Sequence, residues 1–150
     1  MKPDEKFKQL CGELDVAPAG NYIPCVRSGK LLFVSGMLPR TKEGLSHKGK
    51  LGVLSKEDGY VAARNAVIYG LHAVRKELGT LASVSRVLSI TVFVNSLPEF
   101  TEIPFVANGA SDFLVEVFGE MGKHARTAVG VASLPLDAAV EINMVLELRE

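Results

Sequence analysis

Residues 126–148 read Arg126-Thr-Ala-Val-Gly-Val-Ala-Ser-Leu-Pro135-Leu-Asp137-Ala-Ala139-Val-Glu141-Ile-Asn143-Met-Val145-Leu-Glu147-Leu148. Side chains alternate across a strand with period two. Over 139–148 this puts Val140, Ile142, Met144, Leu146 and Leu148 on one side. Glu141, Asn143 and Glu147 fall on the other, with Val145 as an apolar exception. The stretch 127–132 splits in the same way, so the bulky Val129 and Val131 are expected in the core, with Arg126, Ala128 and Gly130 opposite. A turn at 134–137 joins the two as a hairpin. Pairing their core faces collects Arg126, Ala128, Gly130, Glu141 and Asn143 on one surface, with Glu141 a diagonal neighbour of Arg126 at very roughly 7–10 Å.

Working outward, 86–95 is a further half-buried strand, with Leu88, Ile90, Val92 and Val94 inward and Ser89, Thr91 and Asn95 outward. Ser55 caps a long helix through the amide of Asp58, and Gly79 ends it. Its buried stripe is Ala63, Val67, Leu71, Val74 and Leu78. A third helix is predicted over 106–118 after an interruption at Pro104, with a capping box at Ser96–Glu99. Near the start, Phe7, Leu10, Cys11 and Leu14 have helical spacing over 3–14. Residues 15–21, with Pro18 and Gly20, form a connector. Strands at 22–27 and 31–35 flank a Gly29 turn, and 36–52 is loop. The order α-ββ-α-β-α-ββ predicts an α+β fold, one mixed sheet with helices packed on one face, as a single domain over 1–150.

The 150 residues are 47% apolar and 23% charged, which excludes disorder and collagen-like repeats. Lys plus Arg and Asp plus Glu are 17 each, so bulk charge gives no reason to bind nucleic acid or an anionic membrane. No apolar run reaches the ~20 residues of a spanning helix, and no secretion signal is read. Cys11 and Cys25 are expected as reduced thiols in a cytoplasmic protein. Gly44-Leu-Ser-His-Lys-Gly49-Lys50-Leu51 imitates a phosphate loop but has Leu51 where a magnesium-binding hydroxyl belongs. His47, His72 and His124 lack mutual ligand spacing, so no metal is expected. His72 is read as a helix-surface residue.

Arg126 and Glu141 carry the chemistry of the predicted surface. A guanidinium is a planar fork matched to a carboxylate, and a nearby carboxylate can hold a water or take its proton. Ala128 and Gly130 leave room for a compact ligand with a carboxylate at one end and an electrophilic carbon at the other. The same pair on a strand face also serves as solvated surface or as an ion pair worth ~0–1 kcal/mol.

The run Arg126–Pro135 followed by Ala139-Val-Glu141-Ile142 resembles the signature of the Rid family, the reactive-intermediate deaminases, also called the YjgF or L-PSP endoribonuclease family. Asn21-Tyr22-Ile-Pro24, Val34-Ser35-Gly36-Met37-Leu-Pro39 and Phe93-Val-Asn-Ser96 agree with it. The resemblance implies a chorismate-mutase-like fold, a homotrimer with sheets facing inward, and clefts between subunits. It implies hydrolysis of 2-imino acids to 2-keto acids and ammonia, without cofactor or metal. By motif position Arg126 would grip the substrate carboxylate and Glu141 would position or activate water. Tyr22 would line the cleft from the neighbouring subunit, the Ser35-Gly36 backbone would meet the imine end, and Asn108 would assist binding. The sequence departs from the family pattern at Ala128, where cysteine is frequent, and at Met37, where glutamine is common. The segment before Asn108 is also longer. Val145, Ala139 and Phe93 on the polar face fit a subunit interface. The alternative is a non-catalytic module holding a small carboxylate such as a keto acid. RNA cleavage is disfavoured by the neutral charge.

Overall fold

A computed structural model describes residues 1–17 and 20–150. The connector expected around Pro18 lies outside the described residues. The elements are α1 (Pro3–Leu10), β1 (Cys25–Ser28), β2 (Leu31–Met37), β3 (Arg40–Thr41), β4 (Gly44–Leu45), α2 (Lys56–Leu78), β5 (Val84–Asn95), α3 (Ile103–Phe118), β6 (Ala125–Val131) and β7 (Val140–Leu148). The five long strands form one sheet in the order β1-β2-β7-β5-β6, and β3 and β4 make a separate two-residue ladder. Every pairing in the large sheet is antiparallel except β5 with β6. That parallel pair needs a crossover, and α3 supplies it.

The core lies between the sheet and α2 with α3. Val140, Ile142, Met144, Leu146 and Leu148 are all buried, as their alternation predicts. Helix α2 starts where expected: the Ser55 hydroxyl accepts the Asp58 amide at 3.1 Å. It ends at Gly79, whose φ of 82° is a left-handed conformation that costs glycine nothing. Burying Ala63, Val67, Leu71 and Val74 removes this stripe from water, worth roughly 1.5–3 kcal/mol for each large aliphatic side chain.

Several expectations need correction. The last two strands are not a hairpin, because β5 runs between them. In β5 the inward residue is Val87 and not Leu88, because a bulge between Val87 and Ser89 adds a residue. Helix α3 begins at Ile103 and carries Pro104 in its first turn, where no amide partner is lost, and 96–99 is not a helix cap. His72 is not a surface residue. It is 4% exposed, because α1 lays Phe7 edge-on against its ring, with centroids 4.7 Å apart. Helix α1 itself stops at Leu10, where Cys11 turns extended.

Candidate functional site

Glu141 sits on β7, in register with Phe93 of β5, on the sheet face opposite the helices. Across from it, β2 carries a bulge: Val34 pairs with Met144 and Met37 with Ile142, so Ser35 and Gly36 share the space of one residue. The bulge turns Gly36 against Glu141. A Cβ on Gly36 would stand 2.8 Å from Glu141 Oε2, so only glycine leaves the carboxylate its place. The Ser35 hydroxyl donates to the Ile23 carbonyl at 2.7 Å, and its amide donates to Pro24 O at 2.8 Å. Both bonds tie the incoming chain to the bulge and set Tyr22 beside it.

The result is a cleft of about 360 Å³ whose lining includes Tyr22, Gly36, Arg40, Tyr69, Leu136 and Glu141. Leu136 and Asp137 both have φ of 58°, a left-handed backbone that Asp tolerates and that is uncommon for Leu. This turn holds Leu136 at the rim, 61% exposed. Burial alone pushes the Glu141 carboxyl above its ordinary value of 4.5, and among the described residues it has no hydrogen-bond partner. A carboxylate so placed is a stronger base than a solvated one.

Arg126 lies elsewhere. It pairs in register with Ile90, a core-facing residue of β5. Arg126, Ala128 and Gly130 therefore point to the helix side of the sheet, and Thr127, Val129 and Val131 to the open side. The expected faces of this strand are inverted. From Arg126 to Glu141 is two strand spacings across and three residues along, so their Cα atoms are roughly 14 Å apart, with side chains on opposite faces. The 7–10 Å neighbourhood and the shared surface do not exist within one chain.

On its own face Arg126 is braced by α3. One terminal guanidinium nitrogen, Nη1, donates to Asn108 Oδ1 at 2.8 Å and to Ser111 Oγ at 3.1 Å. The structure thus brings Tyr22, Gly36 and Glu141 together with Ser35 just behind them, and separately joins Arg126 to Asn108. Within the chain, Tyr22 lines the same cleft as Glu141. The sequence reading gave Arg40, Tyr69, Ser111 and His124 no part in the site. The signals for two of them were present: 108 and 111 share a helix face, and 124 and 126 share a strand face. Among the described residues no group of three or more metal-binding side chains converges, and no helix is long and apolar enough to cross a membrane.

Comparison with known proteins defines the class. The family model described as endoribonuclease L-PSP matches residues 13–147. Protein TCP17 of Trypanosoma cruzi is 49% identical over 135 residues, 89% of this chain and 84% of that one. A RutC family protein of Pyrococcus abyssi is 30% identical over 129 residues, 85% of this chain and 87% of that one. Among solved structures, protein Atu1372 of Agrobacterium tumefaciens, of unknown function, superposes with a TM-score of 0.91 at 40% identity, covering 98% of this chain and 92% of that one. A putative endoribonuclease of Shewanella oneidensis does so with 0.93 at 28% identity, covering 99% and 100%. The chain belongs to the endoribonuclease L-PSP family, also called Rid or YjgF, and has its chorismate-mutase-like fold.

Proposed function

We propose that this protein hydrolyses small 2-imino acids to 2-keto acids and ammonia, in clefts that two copies of the chain complete. The observation that supports this reading is the division of the site. Glu141 is a desolvated carboxylate over an open cleft, and Arg126 is a braced guanidinium on the other face of the same sheet. Neither half reaches the other within one chain, which supports a site completed by a second copy. The open face of the sheet supports such packing: Val26, Phe33 and Val129 are each at least 40% exposed on it. A homotrimer would cover them. Ala139, expected on that face, is instead fully buried within the chain.

In the reaction, Arg126 of one copy holds the substrate carboxylate by charge-assisted hydrogen bonds. Glu141 of the next takes a proton from water as the water oxygen bonds to the imine carbon, and the C=N electrons move to nitrogen. Glu141 returns that proton to nitrogen, giving a carbinolamine; it then takes the proton of the new hydroxyl as the C=O bond forms and passes it to nitrogen as the C–N electrons leave with it, so that keto acid and ammonia are released. We place the protein in the cytoplasm. Cys11 and Cys25 fit that reading as unpaired thiols, pushed up by burial to about 11 and about 12.

The division makes a direct test. Arg126→Ala and Glu141→Gln should each abolish loss of 2-iminobutyrate generated in situ by an amino-acid oxidase. Mixing the two inactive variants, with subunit exchange, should restore a fraction of the parent rate, since some interfaces then carry both intact groups. Mixtures that stay inactive although exchange is verified would refute a shared site. Binding of 2-ketobutyrate by the parent with no turnover would replace the enzyme with a carboxylate-binding module.

A further inference from the structure

Behind Arg126 runs a chain of hydrogen bonds that the proposed reaction does not use. His124 Nδ1 lies 2.6 Å from the Gly122 carbonyl, and His124 Nε2 lies 2.9 Å from Ser111 Oγ. A carbonyl only accepts, so Nδ1 carries the proton. In the neutral ring Nε2 is then bare and accepts the Ser111 hydroxyl. Burial is the main reason the ring resists a second proton, lowering its pKa; the Gly122 hydrogen bond opposes this and the nearby Arg126 charge adds to it. With its hydrogen turned to His124, Ser111 Oγ presents lone pairs to Arg126, which donates at 3.1 Å. Asn108 Oδ1 takes the other hydrogen of the same nitrogen at 2.8 Å.

The direction of every bond in this series is fixed by the Gly122 carbonyl. That carbonyl is fixed in turn by packing. A Cβ at position 122 would run into the Leu114 carbonyl, so glycine lets the turn after α3 close tightly against the helix. Ser111 has both its hydrogen and a lone pair engaged, which makes it a bridge and not a free nucleophile.

We propose that Ser111 and His124 are positioning residues that hold Arg126 in one orientation. Both hydrogens of Nη1 are taken by the protein, and Nε with Nη2 remains as a single bidentate edge for a ligand carboxylate. This inference rests on the carboxylate-holding role of Arg126 proposed above. An exposed arginine on an edge strand otherwise loses much of its rotamer freedom on binding a ligand. The brace removes that loss beforehand, the usual advantage of preorganisation.

The test compares the parent with Ser111→Ala, Ser111→Thr, His124→Phe and Arg126→Ala, using 2-iminobutyrate hydrolysis and calorimetric binding of 2-ketobutyrate. Ser111→Ala and His124→Phe should each raise KM and the keto-acid Kd by about tenfold, the scale of one hydrogen bond to a charged group. The change in kcat should stay within about threefold. Ser111→Thr keeps the hydroxyl and should restore parent values, and the double variant should be no worse than either single one, because the residues act in series. If Arg126→Ala abolishes activity while Ser111→Ala and His124→Phe match the parent, the positioning role is overturned and the proposed reaction survives. If the parent neither turns over the imine nor binds the keto acid, the reaction fails, and the brace is judged by nitrogen-15 NMR of the parent. An Nδ1-protonated His124 with an ordered Arg126 side chain, loosened by Ser111→Ala, supports the brace. The opposite tautomer, or a mobile guanidinium in the parent, overturns it.

Discussion

The surroundings of Glu141 and of Arg126, the two halves of the proposed site, are built on opposite principles. Around Glu141 the chain draws a charged group away from water without a hydrogen-bond partner among the described residues: a bulge, a glycine gap and mostly apolar walls, with a carboxyl raised by burial. Around Arg126 it leaves the group open to water and braces it with Asn108 and Ser111. A base gains strength from poor solvation. A cation that must catch an anion gains from being pre-aimed while its remaining donors stay free. Damage to the first half should therefore fall on turnover, and loosening of the second on binding.

Gly36→Ala sharpens the contrast most. The added methyl would occupy the place of Glu141 Oε2, only 2.8 Å away, and the carboxylate must swing off its target. We expect turnover to fall by about 100-fold, within the usual contribution of a positioned general base. Keto-acid affinity should change only a few-fold. A Gly36→Ala variant that loses affinity and keeps kcat would break the distinction.

The next effect is on pH dependence. Glu141 must be ionised to act as base, and burial raises its pKa above 4.5. The rate at low substrate should thus fall as the pH drops, with an inflection above 4.5. Arginine side chains as a class do not titrate in this range, so keto-acid binding should not share the inflection. Coincident profiles for rate and binding would contradict the separate roles.

The smallest effect concerns stability. A carboxyl held above its ordinary value in the fold is more stable protonated. The cost of ionising it is absent in acid and sets in as the pH rises from the ordinary carboxylate range towards the folded value. Glu141→Gln should therefore stabilise the inactive protein at neutral pH by a few tenths of a kcal/mol, allowing for partial solvent screening. The gain should disappear in acid. Urea midpoints at the two pH values measure it, and a loss of stability at neutral pH would show that the carboxylate has a partner.

Local patterns were legible in the sequence. The alternation of β7, the Ser55 cap and the Gly79 stop all predict what is observed, because each depends on neighbours along the chain. The strand order did not follow, because insertion of β5 between β6 and β7 is a long-range choice. The inverted face of β6 has a specific cause. Bulk at Val129 and Val131 and smallness at Ala128 and Gly130 predict bulk inward, the ordinary preference of a half-buried strand. Here the small side is the packed one: a Cβ on Gly130 would stand 2.7 Å from Ser96 Oγ. Smallness marked close approach, and the valines were left for the open face. The motif named Arg126, Asn108, Gly36 and Glu141, but not that they form two groups on opposite faces.

The extra residue in β2 carries one more consequence. Val34 and Met37 both face the core although three positions separate them, which a regular strand does not allow. Deleting Ser35 or Gly36 would restore simple alternation and leave every core residue of β2 where it is. The straightened ribbon would lose only the kink beneath the acid. The core pattern of β2 does not require that kink, so the extra residue serves the cleft and not the packing.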